Sequence, residues 1–157
     1  MLMLGGAAFI ASGCSTRASA SATDRFATSP WRVKTDAQWR AELPADSYQV
    51  LRRSQTERPF SSLLDRERRA GTYVCRGCEL PLFLSSWKYD SGTGWPSFYR
   101  ANLDHIGTKL DFALVIPRVE YHCARCRGHQ GHVFEDGPRP TGKRYCNNGV
   151  ALLFKPG

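Results

Sequence analysis

At 157 residues, with hydrophobic side chains making up 41% of the total, the chain has the size of one domain plus a tail. Its formal net charge of +8 comes from basic residues scattered in short groups such as Arg52-Arg53 and Arg66 to Arg69. No Lys/Arg stripe interleaved with aromatics is present, which argues against nucleic acid as a partner, and no apolar run approaches the length of a membrane-spanning helix.

Met1 to Cys14 is a short apolar run closing in Ala11-Ser12-Gly13-Cys14. It resembles the end of a bacterial lipoprotein signal, in which that cysteine is lipidated, although no Lys or Arg precedes Arg17. The expectation is a signal segment over 1–14 and a membrane tether through Cys14 in the cell envelope or periplasm; without a signal the protein would be cytoplasmic. Residues 15–30, mostly Ser, Ala and Thr, bury too little to offset their ordering entropy and read as a linker. The domain is expected over 31–157.

Thr35-Asp36-Ala37-Gln38 has the form of a capping box, so a helix starts there and carries Trp39 inward. Pro44 suits the first turn of a second helix through about Arg52, burying Tyr48 and Leu51. A short helical or turn-like piece follows over Ser61 to Arg69. Thr72 to Cys75, Leu80 to Phe83, Phe98 to Asn102 and Lys109 to His122 read as strands. Within the last, apolar groups occupy both faces from Phe112 and polar alternation comes only late, which predicts a central strand emerging towards the surface. His132 to Phe134 is another strand. A loop with Asp136-Gly137 and two prolines then makes tight turns before a strand carrying Cys146. The fold class expected is mainly β, with short N-terminal helices on antiparallel sheet.

Cys75-Arg76-Gly77-Cys78 and Cys123-Ala124-Arg125-Cys126 are matched Cys-x-x-Cys turns, each at the end of a predicted strand. Each presents two thiolates to one side, the arrangement of a closed tetrahedral zinc site whose role is structural. Two disulfides are the alternative in an exported protein, and redox pairs would require a thioredoxin-like βαβ setting that the sequence lacks. Arg144 stands two positions before Cys146 on the same strand face, and a positive charge near a thiol favours the thiolate. A small buried apolar role for Cys146 is the competing reading. His129 and His132 would point oppositely on an ideal strand, but Gly128 and Gly131 permit a bend that aims both rings one way as proton donors. His105 and His122 read as structural.

Ser91-Gly92-Thr93-Gly94-Trp95-Pro96-Ser97-Phe98, Cys123-x-x-Cys126-x-x-His129-Gln130-Gly131-His132-Val133-Phe134 and Gly137 through Cys146 closely resemble peptide-methionine (R)-S-oxide reductase, the B-type methionine sulfoxide reductase. Lys34-Thr35-Asp36, Thr56-Glu57-Arg58-Pro59-Phe60 and Gly71-Thr72-Tyr73 are similar to the same family. The resemblance implies two twisted antiparallel sheets, short N-terminal helices and a structural four-cysteine zinc site remote from the active site. It implies that Cys146 attacks the sulfoxide sulfur as a thiolate and becomes a sulfenic acid, that His129, His132 and Asn148 serve the oxygen, and that Trp95 faces the methyl group. The substrate implied is methionine-R-sulfoxide in oxidised proteins or peptides. Thr93 stands where many members place a resolving cysteine, so the oxidised Cys146 is expected to be reduced directly by a thioredoxin-like donor or a small thiol. Asn147 and Gly149 depart from the usual apolar residue and serine around the nucleophile. A monomer is expected. The rival reading, a basic zinc-knuckle module that contacts RNA or an acidic protein, explains the charge but neither the Trp95 motif nor the paired histidines.

Overall fold

Two short helices lead into two antiparallel sheets in the computed structural model, which describes residues 24–157. The signal-like segment 1–14, with Cys14, and residues 15–23 of the expected linker lie outside the described residues. Residues 24–30, also expected in the linker, instead join the folded domain. Asp24–Phe26 form a 3-10 turn, and the Phe26 ring packs edge-on to His105 with the Arg125 guanidinium over it. Phe26 supplies the large apolar group whose burial offsets the ordering of this short stretch.

Helix α1 (Asp36–Glu42) begins in a complete capping box, with the Thr35 side chain accepting from the Gln38 N–H and the Gln38 side chain accepting from the Thr35 N–H. It buries Trp39. Helix α2 (Ala45–Arg53) follows Pro44, which takes the cap position, one residue ahead of its expected place in the first turn. It buries Tyr48 and Leu51 as expected and ends at Ser54 in the left-handed conformation. The Ser61 to Arg69 stretch reduces to a 3-10 turn over Leu63–Arg66.

The nine strands among the described residues are β1 (Gly71–Cys75), β2 (Pro81–Leu84), β3 (Lys88–Tyr89), β4 (Ser97–Phe98), β5 (Ile106–Asp111), β6 (Arg118–Cys123), β7 (His129–Phe134), β8 (Arg144–Asn147) and β9 (Leu152–Pro156). One sheet has the order β2-β1-β9 and the other β3-β4-β8-β7-β6-β5. Aromatic side chains from both fill the core. Phe83 of the small sheet stacks on Phe98 of the large one at 4.1 Å, and Tyr73 meets Phe98 edge-on at 5.0 Å. Burying each such ring contributes roughly 1.5–3 kcal/mol, so this cluster fixes how the sheets face each other.

Two expected strands need correction. Phe98 to Asn102 is strand only to Phe98; the Tyr99 N–H turns to the Trp87 carbonyl at 3.0 Å. Lys109 to His122 is not one strand but the hairpin β5–β6, in register from Ile106 opposite Cys123 to Asp111 opposite Arg118. The apolar residues from Phe112 to Ile116 form its exposed tip. The Asp111 carboxylate accepts the Ala113 N–H at 2.9 Å and turns the chain, and Pro117 has no N–H to give a ladder. Apolar character alone did not distinguish a buried strand from a solvent-facing loop.

A second irregularity shapes the site. Between β6 and β7, Tyr121 pairs with Gly131 and His122 with His129, so Gln130 is an extra, bulged residue. The bend expected from the glycines around the two histidines is this bulge.

Candidate active site

Cys146 sits on β8 between Ser97 of β4 and His132 of β7. The close approach of β7 and β8 requires a glycine: a Cβ on Gly131 would lie 1.9 Å from the Cys146 carbonyl oxygen. Cys146 is half-buried at a cavity of about 110 Å³ that Trp95, His132, Phe134, Arg118, Thr56 and Asn148 also line. A larger cavity, about 600 Å³ beside Trp87 and Tyr145, contains neither a cysteine nor a histidine.

Trp95 is held by its indole N–H, which donates to the Glu57 carbonyl at 3.1 Å. The loop before it is internally bonded: Ser91 Oγ lies 2.8 Å from Thr93 Oγ1 and 2.7 Å from Ser97 Oγ. Gly94 has φ +86°, and a Cβ there would fall 2.7 Å from the Phe60 nitrogen, so only glycine lets residues 56–60 close over this loop.

The histidines are brought together, with ring centroids 5.5 Å apart, but they occupy different layers. His132 lines the cavity and its Nε2 bonds Asp111 Oδ2 at 2.8 Å. Burial lowers the His132 pKa, and the Asp111 bond opposes this without cancelling it. Asp111 also accepts from Ala113 and Arg118, and these bonds hold its carboxyl well below the usual range. His129 is buried beside His132 and is not among the residues lining the cavity. Its Nδ1 is 3.2 Å from Glu120 Oε1, but neither ring nitrogen makes a hydrogen bond among the described residues. Burial opposes the charge on Glu120, yet the nearby His129 and Lys109 bring its pKa below the ordinary value.

Asn148 is buried and largely committed to backbone. Its Nδ2 donates to the Gln130 carbonyl at 2.9 Å, and its Oδ1 accepts the Glu57 N–H at 3.0 Å. Glu57 therefore touches three parts of the site. Its carboxylate also accepts the Gly149 and Val150 N–H groups of the turn after β8. Burial holds the Glu57 carboxyl above its usual range despite these bonds. A Cβ on Gly149 would meet Ser62 Oγ at 1.9 Å, so the chain's glycine at this position is fitted to Ser62.

The Cys146 thiol is subject to opposed influences. Burial pushes its thiol up; the nearby Arg144 and Thr93 side chains pull the other way without prevailing. The Arg144 guanidinium is engaged by Asp136, through Nε and Nη2 each at 2.8 Å, and that carboxylate offsets the charge seen by the sulfur. The basic neighbour is present, and burial opposes its pull on the thiol.

Cys75, Cys78, Cys123 and Cys126 are buried and free, and their sulfurs all lie within 4.8 Å of one another. The closest pairs, Cys78–Cys123 at 3.4 Å and Cys75–Cys126 at 3.6 Å, approach the roughly 3.8 Å edge of a tetrahedron with metal–sulfur distances near 2.3 Å. Amide donors already face the sulfurs: Gln130 Nε2 to Cys75 at 3.3 Å and the Gly128 N–H to Cys126 at 3.4 Å. Three arginines brace the turns from outside, Arg125 on the Cys78 carbonyl, Arg32 on Ala124 and Arg52 on Cys126. These four residues fit a metal ion, and the two-disulfide and redox-pair readings find no support in them.

Sequence reasoning missed Asp111, Arg118, Glu57 and Glu120. Asp111 and Arg118 lay inside a run, Lys109 to His122, read as one strand. Glu57 lay inside a motif noted for its resemblance but given no role.

A half-buried cysteine in a small cavity with an indole and an imidazole, on paired antiparallel sheets carrying a four-thiol cluster, defines a thiol-dependent oxidoreductase. Residues 43–156 match the family model described as the SelR domain, and the chain belongs to that family. It is 54% identical over 125 residues to the peptide methionine sulfoxide reductase MsrB of Pseudomonas putida, covering 78% of this chain and 93% of that protein. It is 51% identical over 124 residues to the MsrB of Thiobacillus denitrificans, covering 78% and 94%. The MsrB of Bradyrhizobium diazoefficiens is 50% identical over 125 residues, covering 79% and 90%. The resemblance read from the sequence is borne out.

Proposed function

We propose that the protein reduces the R epimer of methionine sulfoxide in peptides and proteins to methionine, with Cys146 as the attacking sulfur. The observation that carries this reading, in a chain of this family, is that Cys146 shares one small cavity with Trp95 and His132. A sulfoxide oxygen leaves poorly unless protonated, so the nucleophile needs a proton source beside it. Cys146 supplies both: it gives up its proton and attacks as the thiolate. As the Cys146 sulfur approaches the substrate sulfur, its proton passes towards the oxygen, with His132 as relay and His129 behind it. Oxygen moves from the substrate to Cys146: the sulfoxide gains two electrons and becomes a thioether, and the thiol becomes a sulfenic acid. Asp111 fixes the orientation of His132, and Asn148 holds the floor of the cavity through its backbone bonds. The indole of Trp95 offers an apolar wall for the methyl group, and unlike walls for methyl and oxygen are what epimer selection requires.

The sulfenic acid then reacts with one donor thiol to give a mixed disulfide and water, and a second thiol releases Cys146 and a donor disulfide. Thr93 supplies no second thiol, which supports direct recycling by a thioredoxin-like donor or a small thiol. The four-cysteine cluster is suited to zinc, which would be held by Cys75, Cys78, Cys123 and Cys126 in a structural role. The test is turnover of dabsylated methionine sulfoxide with dithiothreitol, comparing epimers and the Cys146→Ser variant. Reduction of R alone, abolished in the variant, is expected. Turnover of S alone, or an undiminished variant, would refute the assignment.

A further inference from the structure

The tip of the β5–β6 hairpin exposes four large apolar side chains at fractions a core would not leave in water: Phe112 69%, Leu114 57%, Val115 102% and Ile116 76%. Single exposed apolar residues are ordinary, whereas several contiguous ones mark a surface that meets another molecule. The tip is anchored. Arg118 closes its base on Asp111 at 2.7 Å, and Asp111 in turn holds His132. Arg118 and His132 both line the cavity that holds Cys146, so the apolar tip springs directly from the cavity wall. Arg118 of the cavity wall stands two residues from Ile116, so a polypeptide that places one side chain in the cavity can carry its neighbouring residues on towards this tip. The two cations beside it are engaged, Lys109 with Glu120 and Arg118 with Asp111, so a charge-based attraction to an anionic lipid surface is not provided there.

We propose that residues 112–116 dock the apolar residues flanking the reacting side chain of an extended substrate segment, so that the preferred substrates are methionine sulfoxides within apolar stretches of exposed polypeptide. This rests on the reading of the Cys146 cavity given above. The apolar flanks would gain at the tip the burial that the small cavity cannot offer beyond the reacting side chain.

The test uses the full chain and a triple variant, Leu114→Ser, Val115→Ser and Ile116→Ser, checked for an unchanged melting temperature. Three R-epimer substrates are compared with dithiothreitol as reductant: N-acetyl-methionine sulfoxide amide, a nonapeptide with Leu and Val flanks, and one with Ser and Gly flanks. The unaltered protein should favour the apolar-flanked peptide roughly tenfold in kcat/KM, mainly through KM, and the triple variant should lose most of that advantage. The small amide should change less than twofold. An equal fall on all three substrates, no flank preference in the unaltered protein, or a preference that survives in the variant would overturn the proposal. Sedimentation with phosphatidylcholine–phosphatidylglycerol vesicles, lost in the variant while peptide kinetics stay the same, would assign the tip to a membrane instead. Failure of the unaltered protein on the small amide would strike the reductase reading itself, and the docking proposal with it.

Discussion

Replacing Glu57 with alanine perturbs the site without touching any group that meets the substrate sulfur. Its carboxylate receives two backbone N–H groups from the turn after β8, those of Gly149 and Val150. Hydrogen bonds to an ionised acceptor contribute about 1.5–3 kcal/mol each, so their gross loss is about 3–6 kcal/mol. Part is returned, because burial already disfavours the charged carboxylate, and a net loss of about 1.5–3 kcal/mol is a reasonable balance. For a domain of this size that lowers Tm by roughly 5–10 °C. The residue 57 backbone also carries the Trp95 and Asn148 bonds, so the turn and both side chains should shift together. A displacement near 1 Å costs about a hundredfold in rate. The assay pairs thermal or urea unfolding with kcat/KM on dabsylated methionine-R-sulfoxide at temperatures where the variant stays folded. Glu57→Gln, with the same volume and one acceptor oxygen, should fall between. The pH dependence has a definite sign. The native carboxyl is raised above its unfolded value, so its contribution is most favourable below the ordinary Glu range and declines as pH rises through the native value; Glu57→Gln should flatten that slope. An alanine variant with unchanged Tm and kcat/KM within twofold would show that the clamp is idle.

Two further outcomes follow from the same geometry. Because burial raises Cys146, its alkylation by iodoacetamide, read by mass spectrometry at that residue, should inflect above the roughly 8.5 of an ordinary thiol. Arg144→Met should slow alkylation at neutral pH and Asp136→Asn, by freeing Arg144, should quicken it; equal rates at pH 6 and pH 9 would contradict this. Cys123→Ser, or prolonged chelation, should release about one zinc per chain and unfold the domain cooperatively, since such sites contribute roughly 10–16 kcal/mol of apparent binding energy at neutral pH. A chelated protein retaining its far-UV spectrum and Tm would remove that cluster from the account of stability.

Much of the site was legible because its signals are local. Cys75-x-x-Cys78 and Cys123-x-x-Cys126 each build their own turn, and the capping box at Thr35 needs only four residues. The loop before Cys146 is fixed by bonds among its own members, with Gly137 donating to Gly142 and Gly142 to Pro138. The apolar run from Phe112 was misjudged because hydrophobicity reports a tendency to be covered, not whether a partner surface exists. Only the pairing of β5 with β6 shows that this run lies at a hairpin tip.

The sequence by itself determined which atoms could do chemistry: one unpaired thiol beside a stiff loop, two nearby imidazoles, an indole in a glycine-rich motif and two thiol pairs. The tertiary structure decided what state and company those atoms keep. The bulge at Gln130 places His129 behind His132, and Asp111 reaches His132 only because a hairpin folds back. Glu57 meets the turn after Cys146 across more than ninety residues of chain. Burial overrides the charge of Arg144 because desolvation depends on everything packed around a sulfur, whereas a sequence neighbour supplies one charge whose partner, Asp136, is chosen by the fold.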